Sequence, residues 1–157
     1  MGAALFYHLV QGDAVGLIGG TLLPRALDRG WRVMLRGTDA RRLDWWDERL
    51  WLVPEEGFLP HGRDTGPRPD RQPVLIGQGP AVNGARGVIL IDGAETDAAE
   101  IAACERVWVV FEGADPAQVD RARDLWRRLS AGGAAMEYWS DEGGRWTKKT
   151  ERPAATP

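Results

Sequence analysis

Near-continuous apolar runs of five to seven residues recur along this chain, separated by segments of helical spacing. Ala4–Val10, Trp31–Arg36, Pro73–Gly77, Gly87–Asp92 and Arg106–Glu112 are such runs. A strand that is apolar on both sides must be buried on both sides, and that is the condition of a parallel sheet covered by helices. Helical segments are expected over about Leu22–Arg29, stopped by Gly30, and from Thr38 or Asp39 to about Leu52, stopped by Pro54. A short helix is expected over Asp97–Cys104, and a longer one from Pro116, a first-turn proline, to about Ser130. Met136–Trp139 reads as a short edge strand. The expected fold class is α/β: a single-domain, Rossmann-like three-layer fold with a mostly parallel central sheet. Residues 1–142 form that domain, and 143–157 are expected to be a basic, flexible C-terminal tail.

The bulk numbers exclude several classes. A length of 157 residues fits one domain, and 43% hydrophobic with 27% charged residues fits a globular chain. A net charge of −3 gives duplex DNA little to hold, since phosphate binding needs clustered positive charge. Met1–Gln11 has too short an apolar run and no basic start for a signal peptide, and no run reaches the roughly 20 residues of a membrane span. A single cysteine, Cys104, cannot form an internal disulfide. A cytoplasmic protein is expected, without contact to a membrane. Eight tryptophans are more than a core of this size requires, and tryptophan is enriched at protein interfaces.

Motifs for catalysis fail one by one. Gly12, Gly16, Gly19 and Gly20 follow the first strand, and a nucleotide- or phosphate-binding enzyme using a Gly12–Gly20 turn is the alternative reading. Their spacing does not match G-x-G-x-x-G, and no lysine precedes Lys148 to complete a P-loop. Gly77-Gln78-Gly79 is followed by Pro80 and opens no helix. His8 lies in a strand, as a core histidine would, whereas His61 stands in a loop position better suited to function. Ser130 and Ser140 sit in no nucleophile motif. The adjacent acids Glu55–Glu56 and Asp141–Glu142 are of the kind common on solvated loops. No catalytic residue, metal ligand or cofactor is expected.

Two constellations carry a binding reading. Val119, Ala122, Trp126 and Leu129 form an apolar stripe on the Pro116 helix, with Arg123 and Arg127 beside it. Guanidinium groups next to an aromatic edge suit an acidic peptide with an apolar end. A solvated basic face balanced by Asp120 and Asp124 is the plainer reading. Trp45, Trp46 and Trp51 cannot share one buried helix face, so at least one ring is expected to be exposed or at a contact. Phe58 stands in the long 54–72 loop that follows; a loop that folds back and buries the rings is the alternative. A third feature, the basic group Arg145, Lys148, Lys149 and Arg152, could touch nucleic acid directly.

Taken in order, Phe6-Tyr7-His8-Leu9, the run Leu50–His61, Gln72–Gly77, Ala122–Arg127 and the ending Tyr138-Trp139 with Gly144–Lys149 resemble the chi subunit of the bacterial DNA polymerase III clamp loader. The resemblance spans nearly the whole chain up to Lys149. It implies a non-catalytic accessory subunit of a DNA-directed DNA polymerase complex, acting in DNA replication. It further implies two partners: the small psi subunit, against Trp51 and Phe58, and the acidic, phenylalanine-ended C-terminal tail of single-stranded-DNA-binding protein (SSB), against Arg123, Trp126 and Arg127. No sequence-specific contact to nucleic acid is implied. Val119 departs from relatives that carry lysine there, which bears on the size of the basic patch.

Overall fold

The computed structural model describes residues 2–53 and 57–155. Strand β1 (Ala3–Leu9) is followed by a helical stretch made of α1 (Ala14–Leu17), a π-turn (Ile18–Leu22) and α2 (Leu23–Asp28). Next come β2 (Val33–Arg36), α3 (Ala40–Arg49), β3 (His61–Arg63), a 3-10 turn (Pro69–Arg71) and β4 (Val74–Gly77). The chain continues through β5 (Gly87–Leu90), α4 (Ala98–Ala103), β6 (Arg106–Glu112), α5 (Pro116–Ala131), β7 (Met136–Ser140) and β8 (Thr147–Arg152).

The eight strands form one sheet in the order β3-β4-β2-β5-β6-β1-β7-β8, parallel throughout except for the antiparallel β7–β8 pair. One face packs Leu35, Ile76, Ile89 and Trp108 against Ile18, Leu23, Leu43 and Trp46 of α1–α3. The other packs Phe6, Met34, Leu75, Val88 and Val107 against Ile101, Leu125 and Leu129 of α4 and α5. This is the expected three-layer α/β arrangement. Single aspartates start the helices by accepting backbone N–H bonds: Asp13 for α1, Asp39 for α3, Asp97 for α4 and Asp115 for α5.

Four expectations need correction. The Gly12–Gly20 stretch is not a turn: Asp13 caps a helix that begins at Ala14, eight residues before the expected start. Its π-turn leads into α2 with Pro24 in the first turn, where a missing N–H is tolerated. Gly19 serves packing, since a Cβ there would stand 2.9 Å from Val53 Cγ1. The 54–72 loop contains β3 and a 3-10 turn; three polar residues on a sheet edge give no apolar alternation to read. β7 is not the edge. The segment expected as a flexible tail carries β8, which pairs along β7 with a bulge at Tyr138/Trp139. Residues Pro54, Glu55 and Glu56, the expected stop of α3 and the acidic pair after it, lie outside the described residues.

At the C-terminal edge of the strands, Arg36 closes the crevice. Its Nε donates to Gly79 O at 2.9 Å, its Nη1 to Glu95 O at 3.1 Å, and its two terminal nitrogens clasp the Glu100 carboxylate at 2.7 and 2.9 Å. These Arg36 bonds, with desolvation opposing and Thr96 helping, hold the Glu100 carboxyl below its ordinary pKa. One guanidinium so joins β2 to two loops and α4. Truncating one partner of a buried pair leaves the other charge uncompensated. Arg36→Ala is therefore expected to cost about 3 kcal/mol in urea unfolding, and Glu100→Gln less; an Arg36→Ala midpoint equal to that of the unaltered chain would refute the account.

Candidate functional site

Helix α5 carries the first candidate surface. Its buried face is Ala122, Leu125 and Leu129; Leu125 was absent from the expected stripe, and Val119 and Trp126 lie on the margin of that face. The Trp126 indole is half-buried, edge-on to Phe6 at 5.1 Å and to Tyr138 at 5.9 Å. Such edge-to-face packing fixes the ring while leaving part of it at the surface. Arg123 and Arg127 are both exposed beside it. Arg127 pairs with Asp124 at 3.5 Å, an exposed contact of little energetic weight. Among the described residues Arg123 has no ion-pair partner, and its charge reaches Tyr138. Burial pushes the Tyr138 hydroxyl up, and Arg123 offsets this in part. Tyr138 also meets His8 Nδ1 at 2.9 Å. Sequence reading missed Phe6 and Tyr138 as the bed of the indole, because they stand on β1 and β7, far from Trp126 in the chain.

The second surface lies at the other end of the sheet. Trp46 points inward and is 1% exposed, whereas Trp51 is 54% and Phe58 68% exposed. Their rings sit 5.6 Å apart, and Trp51 also lies 4.2 Å from the imidazole of His61. With the exposed Leu52 they make a small apolar patch beside edge strand β3. Trp45 differs: Arg42 and Arg49 stand over its ring at 5.3 and 5.7 Å. His61, expected in a functional loop position, is buried in β3 with Nε2 at 2.7 Å from Asp47 O and Nδ1 on Leu59 O. It supports the patch rather than forming a site. β3 and β7 are six strand steps apart, about 29 Å at ~4.8 Å per step.

The ends of β1 and β4 are where a doubly wound sheet offers N–H groups to a phosphate. Both are taken by the chain's own acids. The Asp141 carboxylate accepts from Val10 N at 2.6 Å, Gln11 N at 3.1 Å and Gly12 N at 2.8 Å. It is 6% exposed, so it does not belong to the solvated acidic pair read from the sequence. Burial alone would raise its pKa, but the three N–H groups outweigh burial and hold it below the carboxylate range. After β4, Gln78 N faces Asp64 Oδ2 at 3.4 Å. A phosphate at either place would meet a carboxylate. Cys104 is buried, and burial followed by the charge of Glu100 pushes its thiol up, away from the reactive thiolate. Ser140 is buried, with Oγ accepting from Glu142 N at 3.2 Å.

No helix of the described residues is long and apolar enough to cross a membrane. A family model described as DNA polymerase III chi subunit, HolC, matches residues 1–137. No curated protein matches the chain. Asp141 lies just past the matched segment, and its role gives a test. A group whose folded pKa is depressed stabilises above its unfolded pKa, about 3.9, and that contribution is lost as pH falls through the folded value. Asp141→Asn is expected to cost about 2–3 kcal/mol at pH 7, with the two stabilities converging as pH falls below the ordinary carboxylate range; a pH-independent difference would contradict the assignment.

Proposed function

The chain belongs to the chi-subunit family of DNA polymerase III, and on that premise we propose that it is a non-catalytic accessory subunit with two protein-docking surfaces, one for psi and one for the acidic C-terminal tail of SSB. The observation that carries the reading is the separation of two aromatic patches, Trp51–Phe58 by β3 and Trp126 by β7, at opposite ends of one sheet. Two partners fit on one subunit without competing for space. Such a molecule bridges the clamp loader, through psi, to SSB.

At the α5 surface, the phenylalanine that ends the tail packs on the Trp126 edge, and its acidic residues meet Arg123 and Arg127. Burying a phenyl ring contributes about 1.5–3 kcal/mol, whereas each exposed ion pair adds roughly 0–1 kcal/mol. The ring and the two ion pairs supply about 1.5–5 of the roughly 8 kcal/mol of a micromolar contact, the rest of the tail supplying the remainder, with specificity from the ring and encounter rate from charge. At the β3 surface Trp51, Leu52 and Phe58 offer exposed apolar area, which suits a longer-lived contact with psi.

Titration calorimetry with an acidic, phenylalanine-ended peptide checks the first surface. Arg127→Ala is expected to weaken binding about three- to fivefold at low salt and less at high salt, and Trp126→Ala about tenfold or more. Unchanged affinity in both variants would remove this site. Combined Trp51→Ala and Phe58→Ala should abolish co-purification of psi while leaving the peptide titration as it was; retained psi would remove the second.

A further inference from the structure

The side of the sheet opposite α5 ends in a group of aromatic rings that neither docking surface uses. Tyr7 on β1 and Trp139 on β7 are register partners on adjacent strands, with ring centroids 6.4 Å apart. Trp146, from the turn before β8, stacks on Tyr7 at 4.7 Å with the planes 27° apart. Lys148 of β8 is the register partner of Trp139. All three rings are half-buried against the α1–α2 side of the core, so each keeps some outward surface. Arg25 and Arg106 lie close enough for their charges to act on the Tyr7 hydroxyl. The basic residues of the chain are unevenly spread: both lysines fall in β8, and residues 143–157 hold four basic and one acidic side chain in a chain of net charge −3.

We propose that this face, with Tyr7, Trp139 and Trp146 as its rings and Arg145, Lys148 and Lys149 as its rim, binds single-stranded nucleic acid without sequence preference. Flat rings that keep part of their surface outward, next to side chains that can meet a phosphate, are how such strands are held: bases stack, and cations track the backbone. Three acids lie nearby, and one of them, Glu137, keeps its charge beside Tyr7 and Lys148. Glu137 accepts from Trp139 Nε1 at 2.9 Å, Glu151 pairs with Lys148 at 3.0 Å, and Glu142 pairs with Lys149. The two lysine pairs are exposed, and an exposed pair is easily exchanged for a phosphate contact. Among the described residues Arg145 and Arg152 have no ion-pair partner.

The chemistry favours a single strand over the other occupants. A duplex needs a long basic track, and this rim spans only a few phosphates. A polypeptide adding a strand to β8 would meet an edge blunted by lysines and by the bulge at Tyr138/Trp139. Stacking reads neither base identity nor the sugar, so DNA and RNA strands share the chemistry.

Fluorescence anisotropy of labelled dT12 with the full chain at 50 mM NaCl tests the proposal. Binding is expected, weakening about five- to tenfold at 150 mM NaCl, as neutralising two or three phosphates implies. Trp146→Ala should weaken it about tenfold, and combined Lys148→Gln and Lys149→Gln should flatten the salt dependence. Both lysines are exposed, so the double variant decides the matter if Trp146→Ala fails to fold. Arg123→Ala, which removes a group of the α5 surface, should leave dT12 binding intact, so the two readings fail separately. An rU12 strand should bind within about threefold of dT12. No binding at 50 mM NaCl, equal affinity in the Trp146 and lysine variants, equal affinity for a duplex, or a strong preference for one sugar would each overturn it.

Discussion

A parallel sheet must be covered on both faces, and this chain has too few helices to cover eight strands. Helices α1 to α3 and α4 to α5 blanket the middle, where β2, β5, β6 and β1 carry Leu35, Ile89, Val107 and Phe6. Towards the ends aromatic rings complete the cover: Trp51 beside His61 at β3, Trp126 from the margin of α5 on Phe6 and Tyr138, and Trp146 on Tyr7. A large ring can seal the edge of a core with one face and still offer surface to a partner with the rest. The excess of tryptophan follows from this geometry. The surfaces proposed for partners are places where aromatic rings seal the sheet.

The same scaffold in nucleotide-binding proteins leaves its strand-to-helix turns open to anions. Here the N–H groups of Val10, Gln11 and Gly12 are satisfied by Asp141, and the guanidinium of Arg36 holds the loops after β4 and β5 together. Both contacts also do structural work. Asp141 fastens the end of β7 to the end of β1, and so fixes the strand that carries Tyr138 and Trp139. The groups that would have made a ligand site instead hold the aromatic surfaces in place.

Much of this was legible in the chain, for local reasons. β6 was read at its observed limits from RVWVVFE, and α5 to within one residue, because Pro116 and the Gly132–Gly133 pair mark its ends. The indole at 126 and the outward ring among Trp45, Trp46 and Trp51 followed from helical spacing. What could not be read was long-range. Asp141 looked like one half of a solvated acidic pair, since its partners are about 130 residues away. Gly16, Gly19 and Gly20 looked like a turn because glycine disfavours helix; the approach of Val53 explains the glycine at 19. β8 is polar along its whole length, and a polar edge strand has the same sequence pattern as a disordered tail.

The sheet also bears on how the proposed partners affect one another. Sites that share no residue and stand more than 7–10 Å apart add their energies without coupling. The β3 and β7 ends are about 29 Å apart across hydrogen-bonded strands. Psi at one end would then leave the intrinsic affinity for the SSB tail at the other unaltered. In the proposed assembly any gain would come from effective concentration, since a subunit held through one surface would meet the partner of the other at a raised local concentration. A weak tail contact at Trp126, as proposed, would be adequate under those conditions and would release quickly, so that the subunit could pass from one tail to the next.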